Sequence, residues 1–255
     1  MFSNWCFGSY AMLSSHCVQE LIADRLEAIS DMTCEPRAQA VAIHSLRAII
    51  HFRAVAFLSF SNHFMQIIET SLPGVVLLQP QVWGDARGFF METYSETKLA
   101  EAGISARFVQ DNHSLSRKGT LRGLHFQLKH PQAKLCRVVR GRVLDIAVDV
   151  RVGSPHFGRW IGAELSEENK TQIFVPRGFA HGFVVLSDEA EFLYKCDDIY
   201  RPDDEGGVAW NDAHIGVDWL LQQHDIEEPL LSGKDRALPL LADIAPHNLP
   251  QFSGV

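Results

Sequence analysis

The chain has 255 residues, 46% of them hydrophobic, enough to bury the core of one domain with or without an appendage. Its 31 acidic against 23 basic residues give a net charge of −8, which excludes a general attraction to nucleic acid or anionic membrane but leaves room for local arginines to hold an anionic ligand. The five cysteines, Cys6, Cys17, Cys34, Cys136 and Cys196, show no CxxC spacing, which suits a reducing, cytoplasmic compartment and is neither a disulfide framework nor a zinc signature.

Residues 1–64 lack a strand pattern and carry three of those five cysteines. Residues 41–60 are apolar, but His44, Arg47, His51 and Arg53 interrupt them. A membrane span wants ~20 residues nearly free of charge. Residues 1–10 have no basic n-region, so no secretory signal is expected. Leu21, Ile22, Arg25, Leu26 and Ile29 stand near helical spacing and predict a short helix over 20–29. At Met65 the text changes to Met-Gln-Ile-Ile-Glu-Thr and reads as the first strand of a compact domain, 65–255. The preceding 1–64 is expected to be a poorly ordered extension or upstream sequence read through, without chemistry of its own.

From there short β-like runs follow one another, at 75–78, 107–110, 121–127, 134–139, 143–150, 160–165, 172–175, 182–186 and 191–195. Turn residues separate them: Gly141, Gly153-Ser154-Pro155, Pro176-Arg177-Gly178 and Ser187-Asp188. This spacing predicts an all-β sandwich or barrel. One helix interrupts around 95–102, with Ser95 as its cap. In the irregular tail after Asn211, residues Trp219, Leu220, Leu230, Leu231, Leu238, Leu240 and Leu241 are expected to pack back on the barrel.

Alternation sorts the side chains of a strand by face. In 143–150, Leu144, Ile146, Val148 and Val150 share one face and Val143, Asp145, Ala147 and Asp149 the other. A mid-strand acid among small apolar residues is costly to bury unless paired, so Asp145 points to a polar cavity inside the barrel. Lys134 shares a face with Cys136 and Val138, and Tyr194 with Phe192 and Cys196. The cysteines read as buried small hydrophobes. Lysine or tyrosine alone reads as structural; together they suit hydrogen bonding to an oxyanion and proton donation. Strict alternation sets His125 on the face opposite Arg122. For both to serve one site the register must break, and Gly123 is where a bulge could break it.

Pro176-Arg177-Gly178-Phe179-Ala180-His181 has the spacing P-x-G-x-x-H of cupin barrels. The first cupin motif normally supplies H-x-H and a later glutamate, but here it reads His125-Phe126-Gln127. A catalytic transition metal wants about three protein ligands, so the departure reads as a cupin without metal.

From Met65 to about Ala242 the chain resembles the dTDP-4-dehydrorhamnose 3,5-epimerases, the deoxysugar-epimerase branch of the cupins. The segments that carry the resemblance are 84–92, Phe108-Val109-Gln110-Asp111-Asn112-His113-Ser114, Leu121-Arg122-Gly123-Leu124-His125-Phe126-Gln127, 174–183, Glu191-Phe192-Leu193-Tyr194-Lys195 and Trp210-Asn211-Asp212. It implies a jelly-roll fold and cofactor-independent inversion of C3 and C5 in dTDP-4-dehydro-6-deoxy-D-glucose, where the 4-keto group already acidifies the neighbouring C–H bonds. It further implies His125 as base, Asp235 as its carboxylate partner, Tyr194 as proton donor and Lys134 on the enolate oxygen, with Asp145 and His181 tuning the set. Arg87, Glu92, Gln110, Asp111, Asn112, Arg122, Glu205 and Lys234 match substrate-binding positions, arginine being suited to a diphosphate. A homodimer with an exchanged N-terminal strand is implied too, so that Arg87 serves the partner's site. The rival readings are a relative inverting one carbon, a catalytically silent sugar-nucleotide binder, and a metal-dependent cupin oxygenase or isomerase.

Overall fold

The computed structural model describes residues 65–254. The helix expected over 20–29 and the other readings of 1–64 lie outside the described residues. Strands β1 (Met65–Glu69) and β2 (Val76–Pro80) form a hairpin, followed by a second one from β3 (Val82–Asp85) and β4 (Gly88–Met91). Helix α1 (Glu96–Glu101) comes next, then β5 (Gln110–Arg117), β6 (Leu121–Gln127), β7 (Lys134–Arg140), β8 (Arg142–Asp149) and β9 (Trp160–Ser166). The last strands are β10 (Gln172–Val175), β11 (Phe179–Val185), β12 (Glu189–Cys196) and the short β13 (Glu205–Gly207), ahead of the one-turn helix α2 (Gly233–Arg236).

Two antiparallel sheets form the jelly roll, ordered β1-β2-β10-β7-β12-β5 and β13-β6-β11-β8-β9. Between them lies an apolar layer in which Val143 and Ala147 of β8 and Phe179 and Phe183 of β11 meet Cys136 and Val138 of β7 and Phe192 of β12. The Phe183 and Phe192 rings stack at 4.1 Å between centroids. The valines and phenylalanines among them contribute roughly 1.5–3 kcal/mol each when fully buried. The alternate face of β8, with Leu144, Ile146 and Val148, is covered by the tail through Val208, Ile215, Trp219, Ile226, Leu241 and Leu249. The tail therefore packs back as expected, except that Leu230 and Leu240 remain 45% and 40% exposed. Helix α1 is capped by Ser95, whose hydroxyl accepts from the Lys98 N–H, and it buries Leu99 against the outer face of the other sheet.

The strand expected at 107–110 is displaced: pairing begins at Gln110 and runs to Arg117. Its sequence alternates, but between two polar sets. Gln110, Asn112, Ser114 and Ser116 are covered while Asp111, His113 and Arg117 are exposed, so no hydrophobic period marks it. Strand β11 begins three residues earlier than the expected 182, directly after the turn at Gly178, whose φ of +87° a side chain would resist.

Candidate active site

The two histidines meet because β6 and β11 are neighbours, with His181 directly opposite His125. One step further along, Phe183 pairs with Arg122, so two residues of β6, Gly123 and Leu124, oppose the single Gly182. This is the bulge expected at Gly123, and it turns Arg122 towards the same side as His125. Gly123 has φ +122°, and a Cβ there would lie 2.6 Å from the Gly182 Cα and 2.7 Å from the His181 carbonyl oxygen. Only glycine fits this approach. The Arg122 guanidinium reaches across to the Ser116 hydroxyl on β5 at 3.0 Å.

His125 Nε2 lies 2.6 Å from Asp235 Oδ1. Asp235 is delivered by α2, whose capping residue Ser232 donates its hydroxyl to Asp235 Oδ2 at 2.7 Å. Burial alone would raise the Asp235 carboxyl, but hydrogen bonds from His125, Ser232 and the Gly123 N–H outweigh it and hold the group below its ordinary value. In the neutral tautomer that donates Nε2–H to the Asp235 carboxylate, the lone pair is on Nδ1. Nδ1 stands 3.6 Å from Glu205 Oε1. Glu205 in turn accepts from Lys234 Nζ at 2.6 Å and from the Tyr200 hydroxyl. Burial pushes Glu205 up, but these two donors prevail and keep it ionised below its ordinary value.

A second histidine–carboxylate pair lies deeper. His181 Nε2 is 2.9 and 3.0 Å from the two oxygens of Asp145, which is fully buried as the alternation of β8 required. Burial lowers the imidazole of His181 more than Asp145 raises it, so the ring favours its neutral form. Cys136 Sγ approaches the same Nε2 at 3.7 Å. Tyr194 lies directly opposite Cys136 on the neighbouring strand. Burial first, then the Cys196 and Cys136 thiols, push its phenol up to about 12, so it carries its proton at neutral pH. Lys134 pairs with Cys196 across β7 and β12 and makes no ion pair among the described residues, while its charge acts on Cys136 and His181.

His125, Asp235, Glu205, Lys234, His181, Asp145, Tyr194, Lys134 and Arg122 thus belong to one neighbourhood. Gln110 and Asn112 adjoin it: Gln110 donates to Asn112 Oδ1 at 3.0 Å and accepts from the Tyr200 N–H at 2.9 Å. Three expected binding residues are engaged elsewhere. Arg87 sits at the tip of the β3–β4 hairpin, its side chain 90% exposed and paired with Asp85. Glu92 pairs with Lys98 of α1 at 2.7 Å. Asp111 alternates to the outer side of β5, where it meets Lys195 at 2.8 Å. Sequence reasoning missed Tyr200, Ser116 and Ser232. Ser232, three residues before Asp235, carried a helix-cap signal that went unused.

The family model described as dTDP-4-dehydrorhamnose 3,5-epimerase matches residues 69–243. The chain belongs to the dTDP-4-dehydrorhamnose 3,5-epimerase family. A member from Pseudomonas aeruginosa is 51% identical over 180 residues, covering 70% of this chain and 97% of that protein. Among solved structures, a dTDP-6-deoxy-D-glucose-3,5-epimerase from Legionella pneumophila in complex with dTDP-4-keto-L-rhamnose is 46% identical with a TM-score of 0.72, covering 74% of this chain and all of that one. A 3'-monoepimerase from Streptomyces bikiniensis in complex with dTDP-quinovose is 35% identical with a TM-score of 0.66, covering 71% of this chain and 91% of that one. The match to the epimerase family spans β6, β7, β8, β11, β12 and α2, every element that carries the two histidine–carboxylate pairs, Tyr194 and Lys134.

Proposed function

We propose that the chain inverts C3 and C5 of dTDP-4-dehydro-6-deoxy-D-glucose, giving dTDP-4-dehydro-L-rhamnose through enolate intermediates. The observation that carries this reading is the His125–Asp235 pair at 2.6 Å, with Nδ1 left as the basic atom, in the same neighbourhood as a phenol that stays protonated. Nδ1 takes the proton from a carbon beside the ketone; the C–H pair becomes the enolate, and Asp235 stabilises the resulting imidazolium. Lys134 holds the enolate oxygen by charge and hydrogen bond. Tyr194 returns a proton to the opposite face of the carbon. Solvent then reprotonates the tyrosinate and relieves His125, and the second carbon follows. No cofactor enters this scheme, because the ketone supplies the acidity.

His181 and Asp145, the most deeply buried pair of the neighbourhood, are assigned to positioning the sugar. Arg122 faces the diphosphate, with Gln110, Asn112, Glu205 and Lys234 around the nucleotide end. Arg87, Glu92 and Asp111 are assigned to the same ligand through a partner subunit or on ligand binding, since their present pairs at 2.5, 2.7 and 2.8 Å are with neighbours in the chain. We also propose a homodimer with exchange of the N-terminal strand. Strand β1 occupies a sheet edge, and the adjoining hairpin leaves Trp83, Phe89 and Phe90 42%, 58% and 70% exposed, which supports a protein partner there. The domain is read as 65–255, with 1–64 outside its chemistry, and the free buried thiols Cys136 and Cys196 support a reducing, cytoplasmic location. No helix among the described residues is long and apolar enough to cross a membrane.

The test is turnover of dTDP-4-keto-6-deoxyglucose by the chain and by His125→Ala, followed by NMR. The variant is expected to lose at least ~10³-fold in kcat while still binding dTDP. Turnover intact in His125→Ala removes the assignment of the base.

A further inference from the structure

The proton chemistry above uses His181 and Asp145 for position and leaves Cys136 without a role. Yet the three are brought together by both sheets: Cys136 from β7 on one side, Asp145 on β8 and His181 on β11 on the other. Their relative exposures are 0%, 0% and 6%, and their ligand atoms all lie within 4.8 Å of one another. His181 Nε2 is the shared vertex, 2.9 Å from Asp145 Oδ1 and 3.7 Å from Cys136 Sγ. An apolar side chain would serve packing equally well at position 136, whose cluster otherwise holds Val138, Ala147, Phe183 and Phe192.

We propose that Cys136, Asp145 and His181 form a three-ligand site for a soft divalent cation such as Zn²⁺ or Cd²⁺, and that its occupation inhibits the enzyme by withdrawing His181 from the sugar. A thiolate, an imidazole nitrogen and a carboxylate are the donor types zinc selects, and three protein ligands leave a fourth position open. Tetrahedral bonds of the usual zinc lengths set neighbouring ligand atoms roughly 3.4–3.6 Å apart. The nitrogen–sulfur separation already matches. The nitrogen–oxygen separation of 2.9 Å must open by about 0.5 Å, and no two of the three ligand atoms are more than 4.8 Å apart, so the adjustment is within the reach of cysteine and aspartate rotamers. On binding, Cys136 releases its S–H proton to solvent and the neutral His181 ring shifts its single proton from Nε2 to Nδ1, freeing the Nε2 lone pair for the cation; nothing is oxidised or reduced. Two anionic ligands then neutralise the divalent charge in a low-dielectric interior. This ligand set differs from the cupin arrangement, because it takes neither His125 nor Gln127.

The inhibitory half of the proposal rests on the epimerase reading; the binding half does not. The full chain would be titrated with Co²⁺, reading the thiolate-to-cobalt charge-transfer band, and its turnover measured against Zn²⁺ with and without chelator. The expected result is a band that Cys136→Val loses and Cys196→Ala keeps. Turnover of Cys136→Val should stay near that of the parent, while the Zn²⁺ concentration giving half inhibition rises at least tenfold. A band unchanged in Cys136→Val, or equal Zn²⁺ sensitivity of the two proteins, overturns the site. A band lost in Cys136→Val from a chain that turns over no sugar supports the cation site and removes the epimerase reading instead.

Discussion

Replacing Gly123 by alanine tests how the fold sets the geometry of the base. The new Cβ would stand 2.6 Å from the Gly182 Cα and 2.7 Å from the His181 carbonyl oxygen, both backbone atoms that cannot swing aside. Ordinary contact demands about 3.5 Å, so β6 and β11 must part by nearly 1 Å. The positive φ of 122° adds a backbone penalty, on the order of 1–3 kcal/mol, to an overpacking term of about 1–3 kcal/mol. A total near ~4 kcal/mol corresponds to a fall in Tm of roughly 8–16 °C for a domain of this size. Strand separation also moves His125, two residues along, away from Asp235 at 2.6 Å, and a misplacement of ~1 Å costs about 100-fold in rate. Thermal denaturation by circular dichroism and steady-state kinetics would read both effects. A Tm within ~2 °C of the parent together with kcat within about twofold would refute the reasoning, because the strands would then have absorbed the side chain without cost.

Asp235→Asn keeps the size of the side chain but cannot hold the charged imidazole, so kcat should fall about 10²–10⁴-fold with little change in KM; a loss under threefold contradicts the pairing. Tyr194→Phe removes the proton donor but not the base. NMR in D2O should show exchange continuing at the acidic carbon with inversion slowed at least ~100-fold, and normal inversion would exclude Tyr194 as donor. Acid stability should depend on Asp149. Burial pushes its carboxyl up, but bonds from Arg151 and Ser154 prevail and lower it below 3.8. A group depressed on folding stabilises above its unfolded pKa, and that contribution is lost as pH falls through the folded value. Asp149→Asn should therefore cost about 3 kcal/mol at neutral pH, leaving Arg151 without its buried partner, and flatten the acid limb of a Tm–pH profile. An unchanged profile would show that the pair contributes nothing.

The fold was legible wherever one face of a strand is apolar. Alternation in 143–150 sent Asp145 inward, and the structure buries it against His181 at 2.9 Å. Gly123 was readable as a bulge because a flexible residue stood where two functional side chains had to share a face. Strand β5 was misplaced because its inward residues, Gln110, Asn112, Ser114 and Ser116, are polar like most of its outward ones, and a strand polar on both faces carries no hydrophobic period. The hairpin around Arg87 was missed for the complementary reason: its apolar Trp83, Phe89 and Phe90 face outward. The partner of His125 lies 110 residues away in a one-turn helix, a distance that no local pattern spans, so Asp235 came from family resemblance alone. Tyr200 reaches the site through Glu205 at the end of a loop, again without periodicity to announce it.

The central claim is that one base and one acid serve two carbons in turn. Incubating the chain with dTDP-4-keto-6-deoxyglucose in D2O and following C3 and C5 by NMR tests it most directly. Deuterium at both carbons, with both inverted in the product, is the predicted result. Label and inversion at a single carbon would assign the chain to single-carbon epimerisation, and bound substrate without label at either would contradict the proton chemistry altogether.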